Sequence, residues 1–146
     1  MSQTAQGPQT GQGSQTAQGT FEVKTAPLPP DEATGATTIG RFSLDKSYRG
    51  GLEAASAGEM LGAGNPATGT AGYVAMEQVT GTLQGRSGSF ALQHFGSMQG
   101  GKFDLKVRAV PGSGTGELEG IAGDLTITIE SGRHSYSFEY TLPAGQ

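Results

Sequence analysis

The sequence predicts an all-β protein, a closed antiparallel β-barrel of about eight strands. Three observations carry this. Gly occurs 26 times among 146 residues, too often for a helical chain, since each Gly inside a helix costs roughly 1 kcal/mol relative to Ala. Apolar and polar residues alternate at period two in one segment after another. The segments are short and separated by Gly- and Pro-rich turns, and no collagen-type period organises the glycines.

The chain opens with three imperfect copies of a hexapeptide: SQTAQG at Ser2, PQTGQG at Pro8 and SQTAQG again at Ser14. Residues 1–19 carry no charge and, after Met1, nothing larger than Gln, so burial cannot offset their ordering entropy. A disordered low-complexity tail is expected over 1–19 and a single barrel domain over 20–146, because this length leaves no room for a second core. In the first strand Phe21 and Val23 alternate with Glu22 and Lys24. TAPLPPDEATGAT then reads as a loop, since Pro donates nothing to a sheet ladder. Thr38 to Tyr48 resumes as a strand around Phe42 and Leu44. Leu52 to Gly62 holds helix-favouring Ala, Glu, Met and Leu, but Gly50, Gly51, Gly58, Gly62 and Gly64 interrupt it, so it pairs as a third strand. After the turn-rich GNPATGTAG come Tyr73 to Thr82, Ser87 to Phe95, and Lys102 to Val110. Leu125, Ile127 and Ile129 mark the seventh strand, and Tyr136, Phe138 and Tyr140 the eighth.

Every strand has one apolar face, which leaves a sandwich or a barrel. A barrel removes the sheet edges, and these strands show little edge protection. Eight strands enclose just enough space for side chains or for one small ligand.

Composition removes several functions. A formal charge of −4 and a pI near 5.0 do not suit a nucleic-acid partner, which needs a basic stripe. Without Cys there are no disulfides, thiolate metal sites or cysteine nucleophile. No apolar run approaches the roughly 18 residues of a membrane span, and no signal-peptide pattern opens the chain. A soluble cytoplasmic protein without metal or cofactor is expected.

Strand register locates the one candidate site. If Leu83-Gln84-Gly85-Arg86 is a tight turn, Thr82 lies opposite Ser87, Val79 opposite Phe90, Glu77 opposite Leu92 and Ala75 opposite His94. Tyr73, Ala75, Glu77, Val79, Phe90, Leu92 and His94 then share an apolar face, and Val74, Met76, Gln78, Thr80, Ser89, Ala91, Gln93 and Phe95 lie on the more polar one. Placing His94 opposite Phe103 brings Phe103, Leu105 and Val107 into the same interior. Glu77 and His94 are the ionisable groups of that face, on a diagonal about 7–8 Å apart at the backbone and within side-chain reach. An acid and an imidazole in an apolar cavity are candidates for general acid/base work. The commoner case is a buried polar pair that satisfies its own hydrogen bonds.

PGSGTGELEG (Pro111 to Gly120) suggests a phosphate loop, but it lacks the Gly-Lys-Ser/Thr ending and a following helix. It reads better as a glycine turn followed by one helical turn, with Leu118 and Ile121 plugging the barrel's end. No nucleophile elbow is present, two histidines give a triad or histidine metal site poor support, and His134 is expected in a solvated turn.

Gly-Arg-Ser-Gly-Ser-Phe (Gly85 to Phe90), Leu-Gln-His (Leu92 to His94) and Pro-Gly-Ser-Gly-Thr-Gly-Glu-Leu (Pro111 to Leu118), with Gly-Thr-Phe-Glu-Val-Lys at Gly19, resemble the bacterial family known as domain of unknown function 3224. The resemblance spans about Thr20 to Leu142. It implies a calycin-like barrel of the allene oxide cyclase-like kind, whose other members include plant allene oxide cyclases and bacterial polyketide cyclases. Those enzymes hold an apolar substrate and guide ring closure; their active-site residues do not map onto this chain. Two functions remain open. One is a barrel that binds a small, mostly apolar metabolite, as a cyclase or isomerase, with Glu77 and His94 as acid/base pair and Tyr73, Phe90, Phe103, Tyr136 and Tyr140 as pocket walls. The other is a non-catalytic barrel with a filled core that presents a surface for self-association, as a homo-oligomer, or for a partner.

Overall fold

The computed structural model describes residues 13–32 and 37–144. Nine strands form one antiparallel sheet: β1 (Gln15–Leu28), β2 (Gly40–Gly50), β3 (Leu52–Asn65), β4 (Thr70–Leu83), β5 (Arg86–Gln99), β6 (Lys102–Ala109), β7 (Thr115–Gly116), β8 (Ala122–Glu130) and β9 (Arg133–Thr141). Eight of them close a barrel in the order β1-β2-β3-β4-β5-β6-β8-β9, with β9 paired back to β1. The short β7 pairs with Gly88 and Ser89 of β5. A single 3-10 turn at Pro66–Thr68 joins β3 to β4. The ambiguous third segment is a strand, and it runs on to Asn65.

Two boundaries differ from the sequence reading. The barrel begins at Gln15, inside the third hexapeptide copy, because Ala17 fits the interior opposite Phe138; disorder over residues 1–12 lies outside the described residues. The β5–β6 hairpin is longer than expected. Only Gly100 and Gly101 take left-handed φ values, 59° and 81°, so GSMQ stays in the strand. His94 therefore pairs with Val107 rather than Phe103, and Phe103 pairs with Met98. The shift is four residues, an even number, so the interior face is unchanged.

The interior is filled at one end and open at the other. At the closed end Phe90 stacks on Phe138 with ring centroids 5.7 Å apart, and Phe138 on Tyr140 at 5.3 Å. The Tyr136 hydroxyl accepts from Leu52 N–H at 2.9 Å and donates to the Arg49 carbonyl at 2.8 Å, as a buried phenol must find partners. Leu118 and Ile121 cap this end, both buried, on turns closed by Leu118 N–H to Thr115 and Ile121 N–H to Leu118. At the open end Phe42, Met60, Tyr73, Met98 and Phe103 surround a cavity of about 450 Å³. On the outside, Leu61, Val74 and Phe95 lie in one row across β3, β4 and β5. These three and Met76 are exposed, so that face is less polar than its sequence suggests.

Candidate functional site

Between the filled end and the cavity lies a layer of buried polar groups. Four consecutive strands each contribute one: Lys46 from β2, Ser56 from β3, Glu77 from β4 and His94 from β5. Glu77 is 1% and His94 3% exposed. The β4–β5 turn fixes the last two. Gln84 and Gly85 both take left-handed φ, 47° and 89°, the signature of a two-residue hairpin turn matched to strand twist. The expected pairs follow: Thr82 with Ser87, Val79 with Phe90, Glu77 with Leu92, and Ala75 with His94.

His94 Nε2 lies 2.7 Å from Glu77 Oε1. Lys46 Nζ donates to the same oxygen at 2.9 Å. The Tyr48 hydroxyl and Ser56 Oγ donate to Oε2 at 2.9 and 2.5 Å. Lys46 and Glu77 reach one another across β3 because Ser56 and Gly58 leave little bulk between them. An added Cβ at Gly58 would sit 1.8 Å from the Met76 carbonyl oxygen, so β3 and β4 close tightly beside Glu77 only with glycine there. Lys46 Nζ also lies 4.7 Å over the Phe21 ring centroid, a cation–π contact that helps replace lost water.

Burial by itself would raise the Glu77 carboxyl. The His94 hydrogen bond, the Lys46 ammonium and the Ser56 hydroxyl outweigh it and bring the group down to about 2. Burial, reinforced by the Glu77 charge, pushes the Tyr73 phenol up to about 12 and the Tyr48 phenol far above its ordinary range. Glu77 is therefore a carboxylate at neutral pH and both phenols keep their protons.

An ionised carboxylate only accepts, and four donors fill its roughly four lone-pair sites. Glu77 thus acts on a molecule in the cavity only through His94. The second ring nitrogen, His94 Nδ1, lies 3.1 Å from the Tyr73 hydroxyl, and Tyr73 lines the cavity. An unbroken chain of contacts runs from Lys46 through Glu77 and His94 to Tyr73. A proton reaching the Tyr73 oxygen can be matched by transfer of the Tyr73 proton to His94 Nδ1, leaving an imidazolium bonded to the Glu77 carboxylate. Gly96 makes the Tyr73 position possible: its Cβ would fall 2.6 Å from Tyr73 Cε1.

The residues expected from sequence divide in two. Glu77, His94 and Tyr73 come together, and Tyr73 and Phe103 line the cavity. Phe90, Tyr136 and Tyr140 do not wall it: they belong, with Leu118, to the packed core. His134 is not in a solvated turn. It is half-buried in β9, with its ring centroid 5.2 Å from that of Phe21. In the Pro111 to Gly120 loop, the N–H groups of Ser113, Glu117, Leu118 and Glu119 bond to backbone carbonyls instead of converging on an anion position. Lys46, Ser56 and Tyr48 were missed. The signal for Lys46 was present, since it continues the inward series Phe42, Leu44 toward Tyr48. Among the described residues no three His, Cys, Asp or Glu side chains gather as a metal site, and no helix is long and apolar enough to cross a membrane.

None of the curated proteins matches the chain. Its fold is similar to a crystal structure from Shewanella oneidensis MR-1, a protein of unknown function from the DUF3224 family. That protein is 47% identical with a TM-score of 0.82, and the match covers 91% of this chain and 100% of the other. The model of the family described as "Protein of unknown function (DUF3224)" matches residues 17–140. With most of the barrel matched and nearly half of the aligned residues shared, the chain belongs to the DUF3224 family.

Proposed function

We propose that the barrel binds a small, mostly apolar metabolite at its open end and acts on it as an isomerase or cyclase. The observation that carries this reading is the cavity of about 450 Å³, within the size range of small-molecule sites, with Tyr73 joining its wall to the buried chain. The apolar side chains Phe42, Met60, Met98 and Phe103 would hold the ligand's carbon frame. Isomerisation and ring closure need a proton moved at one position, and the Tyr73–His94–Glu77 chain is a route for it. The non-catalytic alternative rests on the filled end alone and does not account for the cavity.

Gly62→Leu tests the reading. An added Cβ at Gly62 meets nothing nearer than 3.7 Å, so the barrel tolerates the change while the side chain fills the cavity. Wild-type protein should bind naphthalene saturably and one-to-one in a fluorescence titration, and Gly62→Leu should weaken binding at least tenfold with an unchanged circular dichroism spectrum. Absence of saturable binding by the wild type would overturn the proposal.

A further inference from the structure

The geometry points to the kind of molecule the cavity takes: an apolar ligand carrying one hydroxyl, a phenol or an enol, whose O–H donates to the Tyr73 oxygen, with His94 and Glu77 as positioning residues. This inference rests on the cavity reading above and deepens it.

The Glu77 carboxylate can only accept, so His94 Nε2 carries a proton and donates it across 2.7 Å. Lys46 and Glu77, 2.9 Å apart, already cancel in charge. At rest, before any proton is delivered to Tyr73, a second proton on the ring would leave one positive charge in excess among groups shielded from water, and an unbalanced buried charge is costly. Hydrogen-bond logic thus assigns His94 the neutral form with Nδ1 as acceptor. The Tyr73 hydroxyl, 3.1 Å away, is the donor that Nδ1 has. A phenol owns a single proton. With that proton committed to His94, Tyr73 has only lone pairs left for the cavity.

Among the described residues Tyr73 is the one ionisable side chain in the cavity wall, beside the hydroxyls of Thr25, Thr38 and Ser97, so at Tyr73 the ligand meets an acceptor tied to a rigid chain. A carbonyl or ether oxygen placed there would bring lone pair against lone pair. A hydroxyl is complementary. The buried layer therefore selects among apolar molecules by the direction of one hydrogen bond, and its remaining members fix that direction. Tyr48 and Ser56 occupy the second carboxylate oxygen, which keeps Glu77 from turning away from His94.

Fluorescence titration with naphthalene, 2-naphthol and 2-methoxynaphthalene tests this. The three share one carbon frame and differ in what the oxygen offers. Wild-type protein should bind 2-naphthol about tenfold more tightly than the other two, the scale of one net hydrogen bond. Tyr73→Phe should abolish the preference, so that 2-naphthol and naphthalene bind equally. Equal binding of 2-naphthol and naphthalene, tighter binding of 2-methoxynaphthalene, or a preference that survives Tyr73→Phe would overturn the ligand class while leaving the cavity reading intact. Binding of none of the three would overturn both. A measurement on the unmutated protein stands beside these. Long-range nitrogen-15 spectra of His94 at neutral pH should show a protonated Nε2 and a bare Nδ1, and a proton on Nδ1 would overturn the inference.

Discussion

The two ends of the barrel are built from the same strands and behave as different materials. At the closed end large side chains dominate the interior: Tyr48, Leu52, Leu83, Phe90, Phe138 and Tyr140 are all essentially inaccessible to solvent, Ala17 fits between them opposite Phe138, and Leu118 is drawn in from a loop to complete the packing. At the open end the same inward positions hold Gly40, Gly62 and Gly96, with Phe42 and Met60 only half-buried and Phe103 53% exposed. Strand length does not account for the contrast, since β3, β4 and β5 each run 14 residues through both ends. Side-chain volume does. The polar layer lies at the boundary, where tight packing beneath excludes water and an open space above leaves Tyr73 within reach of a ligand.

The sharpest way to break this contrast is at the boundary itself. Glu77→Ala should cost about 5 kcal/mol in urea unfolding, because it strands Lys46 without a counter-charge and opens a cavity as well. A loss below about 1 kcal/mol would show that the layer is not structurally coupled. Next come paired truncations, one at each end. Phe138→Ala should cost about 4 kcal/mol, as expected of a fully packed aromatic, whereas Met60→Ala at the half-empty end should cost about 1 kcal/mol. Equal losses would abolish the distinction between the ends.

Acid sharpens it further. Glu77 falls from 4.5 to about 2 on folding. A depressed folded value contributes stability that is fully present above pH 4.5 and lost as the pH falls through about 2. That contribution amounts to about 3 kcal/mol. Unfolding free energy should drop more steeply between pH 4.5 and 2 in the wild type than in Glu77→Gln, which lacks the titrating group.

Much of this was legible beforehand, for reasons that can be named. Alternation exposes the inward face of each strand, and closure follows from eight such faces. The Glu77–His94 pair was legible because a two-residue turn leaves parity no freedom. The β5–β6 register was not: GSMQGG gives no sign of where extended backbone ends, and only the φ values at Gly100 and Gly101 settle it. Alternation places Phe90, Tyr136 and Tyr140 inward but says nothing of depth along the barrel axis, and they lie in the packed core away from the cavity wall. Depth depends on how strands stagger around the whole ring. Lys46 was overlooked for a related reason. A lysine on an apolar stripe reads as the end of the stripe until its counter-charge, two strands away, is placed beside it.

The seam between β1 and β9 has a consequence for how the molecule comes into being. Gln15 pairs with Tyr140, so the ladder that shuts the ring joins residues from opposite ends of the described chain. Lys46, Ser56, Glu77 and His94 lie on four successive strands linked by neighbouring hairpins, and these contacts become available early in synthesis. Tyr136 and Phe138, which dry out the layer from beneath, sit on β9 and leave the ribosome after every other strand of the barrel. The polar groups can thus find their partners while water still solvates them, and their transfer to a dry interior waits for the final strand. A nascent chain stalled before β9 should therefore carry these polar groups still hydrated.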